Sequence, residues 1–375
     1  MSMKIGVPRE SAEGENRVAL VPESVKSLLK KEGVEIVIES GAGDVAGHPG
    51  AQYEEAGAKV GSHADVLACD LILHVAPLSG AEIGELKQGQ YLISHLSPLT
   101  SAETNKALAS AGVSALAMEL IPRTTRAQAM DALSSQATAA GYAATLIAAR
   151  ESGRFWGMLT TAAGTIRPVR VLVLGAGVAG LQAVATAKRL GAIVTGFDIR
   201  RAAWEQIASL GGRPLELDFI PDAEGEGGYA RPLTDEENQQ VRDALDENAA
   251  KQDVIITTAA IPGRPAPTLI TAAGVANMGP GSVILDLAAE TGGNCELTKP
   301  GETVVTDNGV KVVGPRNLAS ELPGHASQLY AKNLENLLGL MITEEGGLTL
   351  NFEDDIIDAA TITHEGEIRG ERTAR

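Results

Sequence analysis

The chain has 375 residues, 44% of them apolar and only 3% aromatic, enough for two cores built from Ala, Val, Leu and Ile. Its 48 acidic residues outnumber 31 basic ones for a formal charge of −17, which argues against nucleic acid and anionic lipid as partners, since both need basic surface. Two cysteines exclude a disulfide framework, six dispersed histidines form no metal pattern, and neither a signal region nor a membrane span is evident, so the sequence reads as a soluble, metal-free chain of a reducing compartment.

From the start, short apolar strands alternate with amphipathic segments. Strands are predicted over 4–7, 35–39, 70–75, 90–95 and 113–117, with helices such as 22–31 and 101–111 between them, the pattern of an α/β region with a largely parallel sheet. Arg17, in the loop after the first strand, either holds a carboxylate or makes a surface ion pair. His74 and His95 end strands, where such sheets place functional groups; a hydrogen-bonded structural role is the other reading. One alanine-rich helix is predicted over 127–152 as a bridge to the next domain. At its entrance, Asp131 and Ser134 are three apart and share a helix face. With Arg123 they form either a polar cluster within reach of an interdomain crevice or the caps and ion pairs of a helix start.

A second α/β region begins near Val169, with strands predicted over 171–174, 193–197, 254–258, 283–286 and 310–313. Its first strand enters the turn Gly175-Ala176-Gly177-Val178-Ala179-Gly180, and 181–190 reads as the helix that follows. This is the unit that holds a dinucleotide pyrophosphate on a helix N-terminus. Gly175 allows the tight turn, Gly177 the approach of backbone to phosphate, and Gly180 close helix–strand packing. Asp198 ends the next strand about twenty residues past the first glycine, where a carboxylate accepts the ribose hydroxyls and repels a 2′-phosphate, so NAD is expected over NADP. Arg200 and Arg201 either hold that extra phosphate or are solvated. The glycine-rich, acidic stretch 218–232 reads as a loop, with Gly228 and Tyr229 near its tip as either a lid or a merely mobile segment. Residues 327–340 read as a helix that packs back on the first region. The expected architecture is two Rossmann-like, doubly wound parallel-sheet domains joined by a long helix, the first comprising 1–130 plus 325–375 and the second 131–324.

In this order, Lys4 to Glu10, Gly14 to Ala19, Ala117 to Arg123, Arg126 to Asp131, Leu133 to Gln136, Gly175 to Gln182, Gly227 to Ala230, Ile261 to Pro267 and Gly292 to Cys295 closely resemble the NAD(H)-binding component of proton-translocating nicotinamide nucleotide transhydrogenases, a family related in fold to alanine dehydrogenase. The resemblance implies a homodimer of two-domain protomers on the cytoplasmic side of the membrane. It implies Re/Si-specific hydride transfer between NAD(H) bound here and NADP(H) on the NADP(H)-binding domain of a beta subunit, coupled to proton translocation by a separate membrane-spanning subunit. Arg123, Gln128, Asp131 and Ser134 match the family's loop that positions the nicotinamide, the glutamine reaching toward the NADP(H) side. Gly175, Gly177, Val178 and Gly180 match the pyrophosphate turn; Asp198, Ile199 and Arg200 the adenosine ribose region; Gly228 and Tyr229 the loop that closes over nucleotide; and Ala260 a residue lining the site where the family often has leucine. Such a site needs no general acid or base, only near-attack placement of two rings and exclusion of water.

The alternative is an alanine-dehydrogenase-like oxidoreductase for 2-oxo acids. Arg17 and His95 match residues of that family that bind or act on the oxo acid, but its lysine has no counterpart, His74 standing in its place. An NAD-sensing module without chemistry of its own is a third reading.

Overall fold

The computed structural model describes residues 3–217, 219, 223, 231, 233–261, 263–370 and 373–374. In chain order the strands are β1 (Met3–Val7), β2 (Val34–Glu39), β3 (Lys59–Gly61), β4 (Leu71–Leu73), β5 (Tyr91–Ser94), β6 (Ser114–Ala117), β7 (Leu159–Thr161), β8 (Gly164–Ile166), β9 (Arg170–Leu174), β10 (Ile193–Phe197), β11 (Arg213–Pro214), β12 (Val254–Thr257), β13 (Val283–Asp286), β14 (Thr303–Val305), β15 (Lys311–Val313), β16 (Thr361–His364) and β17 (Glu367–Ile368). Two compact units emerge: Met1–Gln136 with Ser320–Arg375, and Ala137–Ala319.

In the first unit the strand order is β3-β2-β1-β4-β5-β6, all parallel, extended by the antiparallel β16 and β17. Side chains of a strand alternate between faces, and here both faces are buried. Ile36, Ile38, Leu71, Leu73, Ile93 and Leu116 join one core with Leu334, Leu337 and Leu338 of the helix Pro323–Met341. Val37, Ile72, Leu92 and Ala115 join another with Val66, Ile83 and Leu108 from three other helices. Burial on both sides is why these strands read as continuous apolar runs.

The second unit repeats the parallel order as β11-β10-β9-β12-β13-β15, with β14 antiparallel at the edge. One face packs Leu172, Leu174, Ile255 and Ile284 against Val241 and Leu245 of the helix Asp235–Ala249. That helix opens with a complete capping box, Thr234 and Glu237 each satisfying the other's main-chain amide.

Three helices start several residues from where the sequence reading puts them. The bridge helix begins at Ala132 rather than 127, because the Asp131 carboxylate caps it and Thr125–Met130 winds as a separate 3-10 turn. The glycine-turn helix starts at Val178, and the return helix at Pro323, whose fixed φ suits a first turn. The hairpin β7–β8 and the antiparallel strands at the sheet edges had no counterpart among the expected elements. Most of 218–232, including Gly228 and Tyr229, lies outside the described residues. Among the described residues no helix is long and apolar enough to cross a membrane, and no group of His, Cys, Asp or Glu is arranged to hold a metal.

Candidate functional site

A chain reversal in strand order leaves a crevice at the carboxyl ends of the two strands that flank it, the usual ligand position in open α/β sheets. In the second unit those strands are β9 and β12, and the glycine turn leaves β9 at that point. Gly175 sits at φ +91°, the left-handed region that favours glycine. A Cβ on Gly180 would stand 1.8 Å from the Gly175 carbonyl oxygen, so the helix lies as close to the strand end as a backbone permits. At Gly177 the same atom would meet nothing within 4 Å among the described residues. Gly177 also opens the helix Val178–Arg189 without any side-chain cap, leaving its first-turn amides uncovered by its own side chain. Exposed Val178 follows. A bare, electropositive helix start with free space before it fits a pyrophosphate.

Asp198 lies just past β10 and is buried. Its Oδ2 accepts the Ala176 amide of the glycine turn at 2.8 Å, joining the ends of the two strands. Arg200 grips the same carboxylate from the side: its Nε donates to Oδ1 at 2.9 Å and its Nη2 to Oδ2 at 2.8 Å. Trp204 donates its indole N–H to the Asp198 carbonyl at 2.9 Å, and Ile199 packs on the core. The Arg200 side chain therefore pairs with Asp198, and Arg201 lies over the Trp204 ring.

Across the crevice, the Thr258 hydroxyl donates to the Gly175 carbonyl at 3.0 Å, and the exposed Ala260 lies two residues further on. Thr258 was not among the residues singled out from the sequence. Neither was Asp286, and Asn294 figured there only as a member of the Gly292 to Cys295 run; both are buried side chains that shape the segment after β12. A carboxylate at the end of β13 and the unexplained Gly292 to Cys295 run were the available signals.

In the first unit, Asp131 Oδ1 accepts the Ser134 amide at 2.9 Å and Oδ2 the Ser134 hydroxyl at 2.6 Å, so these two meet as an N-cap. Arg123 and Gln128 are exposed on the stretch that leads into this turn. The turn is pinned from below: Asn333 and Asn336 both donate to the Ala129 carbonyl, at 2.9 and 3.0 Å. Arg126 forks onto Asp354 and also reaches Asp355.

The reversal point of the first unit, between β1 and β4, is built differently. Glu10 fills it: its carboxylate accepts the Val75 amide at 2.7 Å and the Ala76 amide at 3.1 Å, and lies 3.1 Å from His74 Nδ1. Burial pushes the Glu10 carboxyl up to about 7, against the pull of His74 and the two amides. His74 also contacts the Ala76 carbonyl, and Tyr330 donates to the His74 carbonyl at 2.8 Å. Burial, with Glu10 and Glu119 nearby, raises the Tyr330 hydroxyl well above its ordinary range. His95 stacks on Tyr330 and stands 3.6 Å from Glu119. Although burial opposes it, the His95 partnership holds Glu119 below the usual carboxylate value. Arg17, itself buried, is clasped by Glu15 through two part-buried contacts at 2.6 and 2.7 Å and donates to Gln136 in a buried bond at 2.9 Å. A guanidinium so engaged is a structural ion pair, and breaking it would leave a buried charge uncompensated.

Comparison with known proteins settles the lineage. Residues 6–140 match the N-terminal domain described as Alanine dehydrogenase/PNT, and residues 144–371 match its C-terminal domain. The chain belongs to the alanine dehydrogenase/PNT family. It is 44% identical to an NAD(P) transhydrogenase alpha-subunit polypeptide of Rhodospirillum rubrum over 98% of its own length and 97% of that protein. The crystal structure of a transhydrogenase from Sinorhizobium meliloti superposes with a TM-score of 0.89 at 44% identity, covering 97% of this chain and 99% of that one. An L-alanine dehydrogenase structure gives 0.79 at 27% identity, covering 98% and 96%. Both domains of this family are thus present, and the transhydrogenase branch is the nearer of the two. The glycine turn, Asp198 and the Thr258 contact all belong to the family's C-terminal domain.

Proposed function

We propose that this chain is the NAD(H)-binding component of a proton-translocating transhydrogenase, carrying NAD(H) in its second unit and exchanging hydride with NADP(H) held by a partner subunit. The observation that carries this reading is the glycine turn at the strand-order reversal, with a bare helix start, an open Gly177 and a buried carboxylate beside it, in a chain that resembles a transhydrogenase alpha subunit along its whole length. NAD(H), when bound, supplies or accepts the hydride. Gly177 and Val178 offer main-chain amides to the pyrophosphate, in a turn that Gly175 and Gly180 shape; Asp198, with Ile199 and Arg200 beside it, takes the adenosine ribose; Ala260 lines the site from the far side of the crevice. Arg123, Gln128, Asp131 and Ser134 orient the nicotinamide, their turn held rigid by the Asp131 cap and by Asn333 and Asn336.

The chain works as a homodimer, on the cytoplasmic face of a membrane subunit that conducts the proton. Four large apolar side chains crowded into 155–166, Phe155 at 61%, Met158 at 69%, Leu159 at 36% and Ile166 at 45% exposure, support a second copy as the cover for the β7–β8 hairpin.

One mixing experiment tests the reading. The chain alone is expected to bind NADH and to oxidise it with neither pyruvate plus ammonia nor NADP⁺ at a useful rate. Adding a purified NADP(H)-binding partner domain is expected to start transfer to an NAD analogue. Rapid consumption of NADH by pyruvate and ammonia alone would sink the proposal.

A further inference from the structure

The segment Gly292-Gly293-Asn294-Cys295 was singled out in the sequence and has no part in the function described so far. It is built around Asp286, the wholly buried last residue of β13. Asp286 Oδ2 accepts the amides of Asn294 and Cys295 at 2.7 and 3.0 Å and the Thr298 hydroxyl at 2.6 Å. Oδ1 accepts the Ala288 amide at 3.0 Å and the Thr257 hydroxyl at 2.8 Å. Five donors converge on one carboxylate and fix the backbone of the turn.

That turn aims the Asn294 side chain, itself fully buried, at the segment after β12. Its Oδ1 accepts the Ala259 amide at 3.0 Å, and its Nδ2 donates to the carbonyls of Ala259 and Pro267, both at 2.8 Å. Its own carbonyl accepts the amides of Leu269 and Ile270, at 2.7 and 3.0 Å. One side chain therefore ties both ends of the stretch that leaves β12. Thr258, immediately before the tie, is the residue that holds the Gly175 carbonyl. Hydrogen bonds lead from Asp286 through Asn294 to Ala259, and its chain neighbour Thr258 bonds the glycine turn.

We infer that Asn294 is a positioning residue for the nucleotide site, holding the far wall of the β9–β12 crevice in its binding shape before any nucleotide arrives, with Asp286 as its anchor. The inference rests on the reading that the second unit binds NAD(H). A preordered wall spares the bound state the ordering of a loop, and its loss appears as weaker binding. Main-chain bridging alone is common to buried asparagines, so a matched control exists in the same unit. Asn308 donates to the carbonyls of Val275, Ala276 and Met278 at 3.1, 3.2 and 3.1 Å, bridging a segment that begins beyond the helix start at Thr271 rather than the one that carries Thr258.

The experiment titrates NADH onto the full chain in wild type, Asn294→Ala and Asn308→Ala, with thermal unfolding of each. Both variants are expected to lower the unfolding temperature, while NADH affinity falls by at least about tenfold for Asn294→Ala and stays within about twofold for Asn308→Ala. Equal weakening by both, or unchanged affinity in Asn294→Ala, overturns the inference. Amide hydrogen exchange on the wild-type chain decides the matter even if Asn294→Ala does not fold. Protection of the Ala259 amide is expected without nucleotide, and rapid exchange that slows only on adding NADH overturns the preordered wall. Should wild type bind no NADH at all, the functional reading fails, whereas the exchange of the Ala259 amide still reports whether the tie exists.

Discussion

The two units run their six parallel strands in the same order and reverse at the same place, yet the reversal points hold opposite chemistry. Between β9 and β12 stand glycines, an uncapped helix start and, among the described residues, open space at Gly177. Between β1 and β4 stands Glu10, its carboxylate spent on the amides of Val75 and Ala76 that a ligand would otherwise meet, with His74 and Tyr330 closing around it. The same topology thus offers a crevice in both units and fills it with side chains in one. Topology supplies the place; the residues of the loop after the first strand decide whether it is a site. Arg17 teaches the same lesson, since Glu15 and Gln136 already occupy its guanidinium.

The most disruptive way to break the comparison is to obstruct the open reversal point. In Gly180→Ala the new Cβ meets the Gly175 carbonyl oxygen at 1.8 Å, and backbone cannot rotate away as a side chain does. The expected outcome is a loss of at least about 3 kcal/mol of stability together with NADH binding, read by thermal unfolding and titration. Gly177→Ala sharpens it, because its Cβ meets none of the described residues: the unfolding temperature should hold while NADH affinity falls. If Gly177→Ala binds NADH normally, that space is not where the nucleotide lies.

The filled reversal point makes its own prediction, with a sign fixed by Glu10. Its folded value, about 7, lies above the ordinary 4.5, so folding favours the neutral acid. That contribution is complete below the unfolded value and is lost as pH rises through the folded one. The unfolding free energy should therefore decline by up to about 3 kcal/mol between about pH 5 and about pH 8, and Glu10→Gln should flatten the decline. A variant as pH-dependent as wild type in that window would remove Glu10 as its source. No nucleotide-binding change is expected from this variant, in contrast with the glycines.

Removal of the carboxylate beside the open point is expected to have a smaller effect. Asp198→Ala releases Arg200 from its carboxylate and leaves the Ala176 amide without its acceptor. NADH affinity should fall by about 1–2 kcal/mol, while preference for NADH over NADPH should shrink further, because an arginine no longer held by that carboxylate then faces the 2′-phosphate. Competitive titration of the two nucleotides checks it; an unchanged ratio would assign discrimination elsewhere.

Much of this was legible in the sequence because it is local. The β9 run, the glycine spacing and Asp198 follow one another along the chain, and each strand buried on both faces announced itself as an apolar run. Contacts between distant residues were not legible. Thr258 reaches Gly175 across 83 positions, Asn294 reaches Ala259 across 35, and Glu10 reaches Val75 across 65, with no periodicity to betray them. The bridge helix was read as starting at 127 because alanine favours helix throughout that stretch, whereas the Asp131 side chain, by bonding the Ser134 amide, sets the start at Ala132. The hairpin β7–β8 escaped because its three-residue strands are exposed and carry no alternating pattern.

The smallest expected effect concerns that cap and decides between its two readings. Ser134→Ala removes the hydroxyl bond to Asp131 Oδ2, while the main-chain amide of residue 134 still meets Oδ1. As a helix cap alone, the pair should lose no more than about 1 kcal/mol, with hydride transfer following stability. If the turn also orients the nicotinamide, transfer in the reconstituted system should fall by about tenfold at nearly unchanged NADH affinity, and exposed Gln128→Ala should do the same with no stability cost. Parallel losses in affinity and rate would make the turn a binding element, and no loss in either would leave Asp131 and Ser134 as a cap. Placing a reacting ring demands tighter geometry than holding a nucleotide, so rate is the more sensitive reporter of the two.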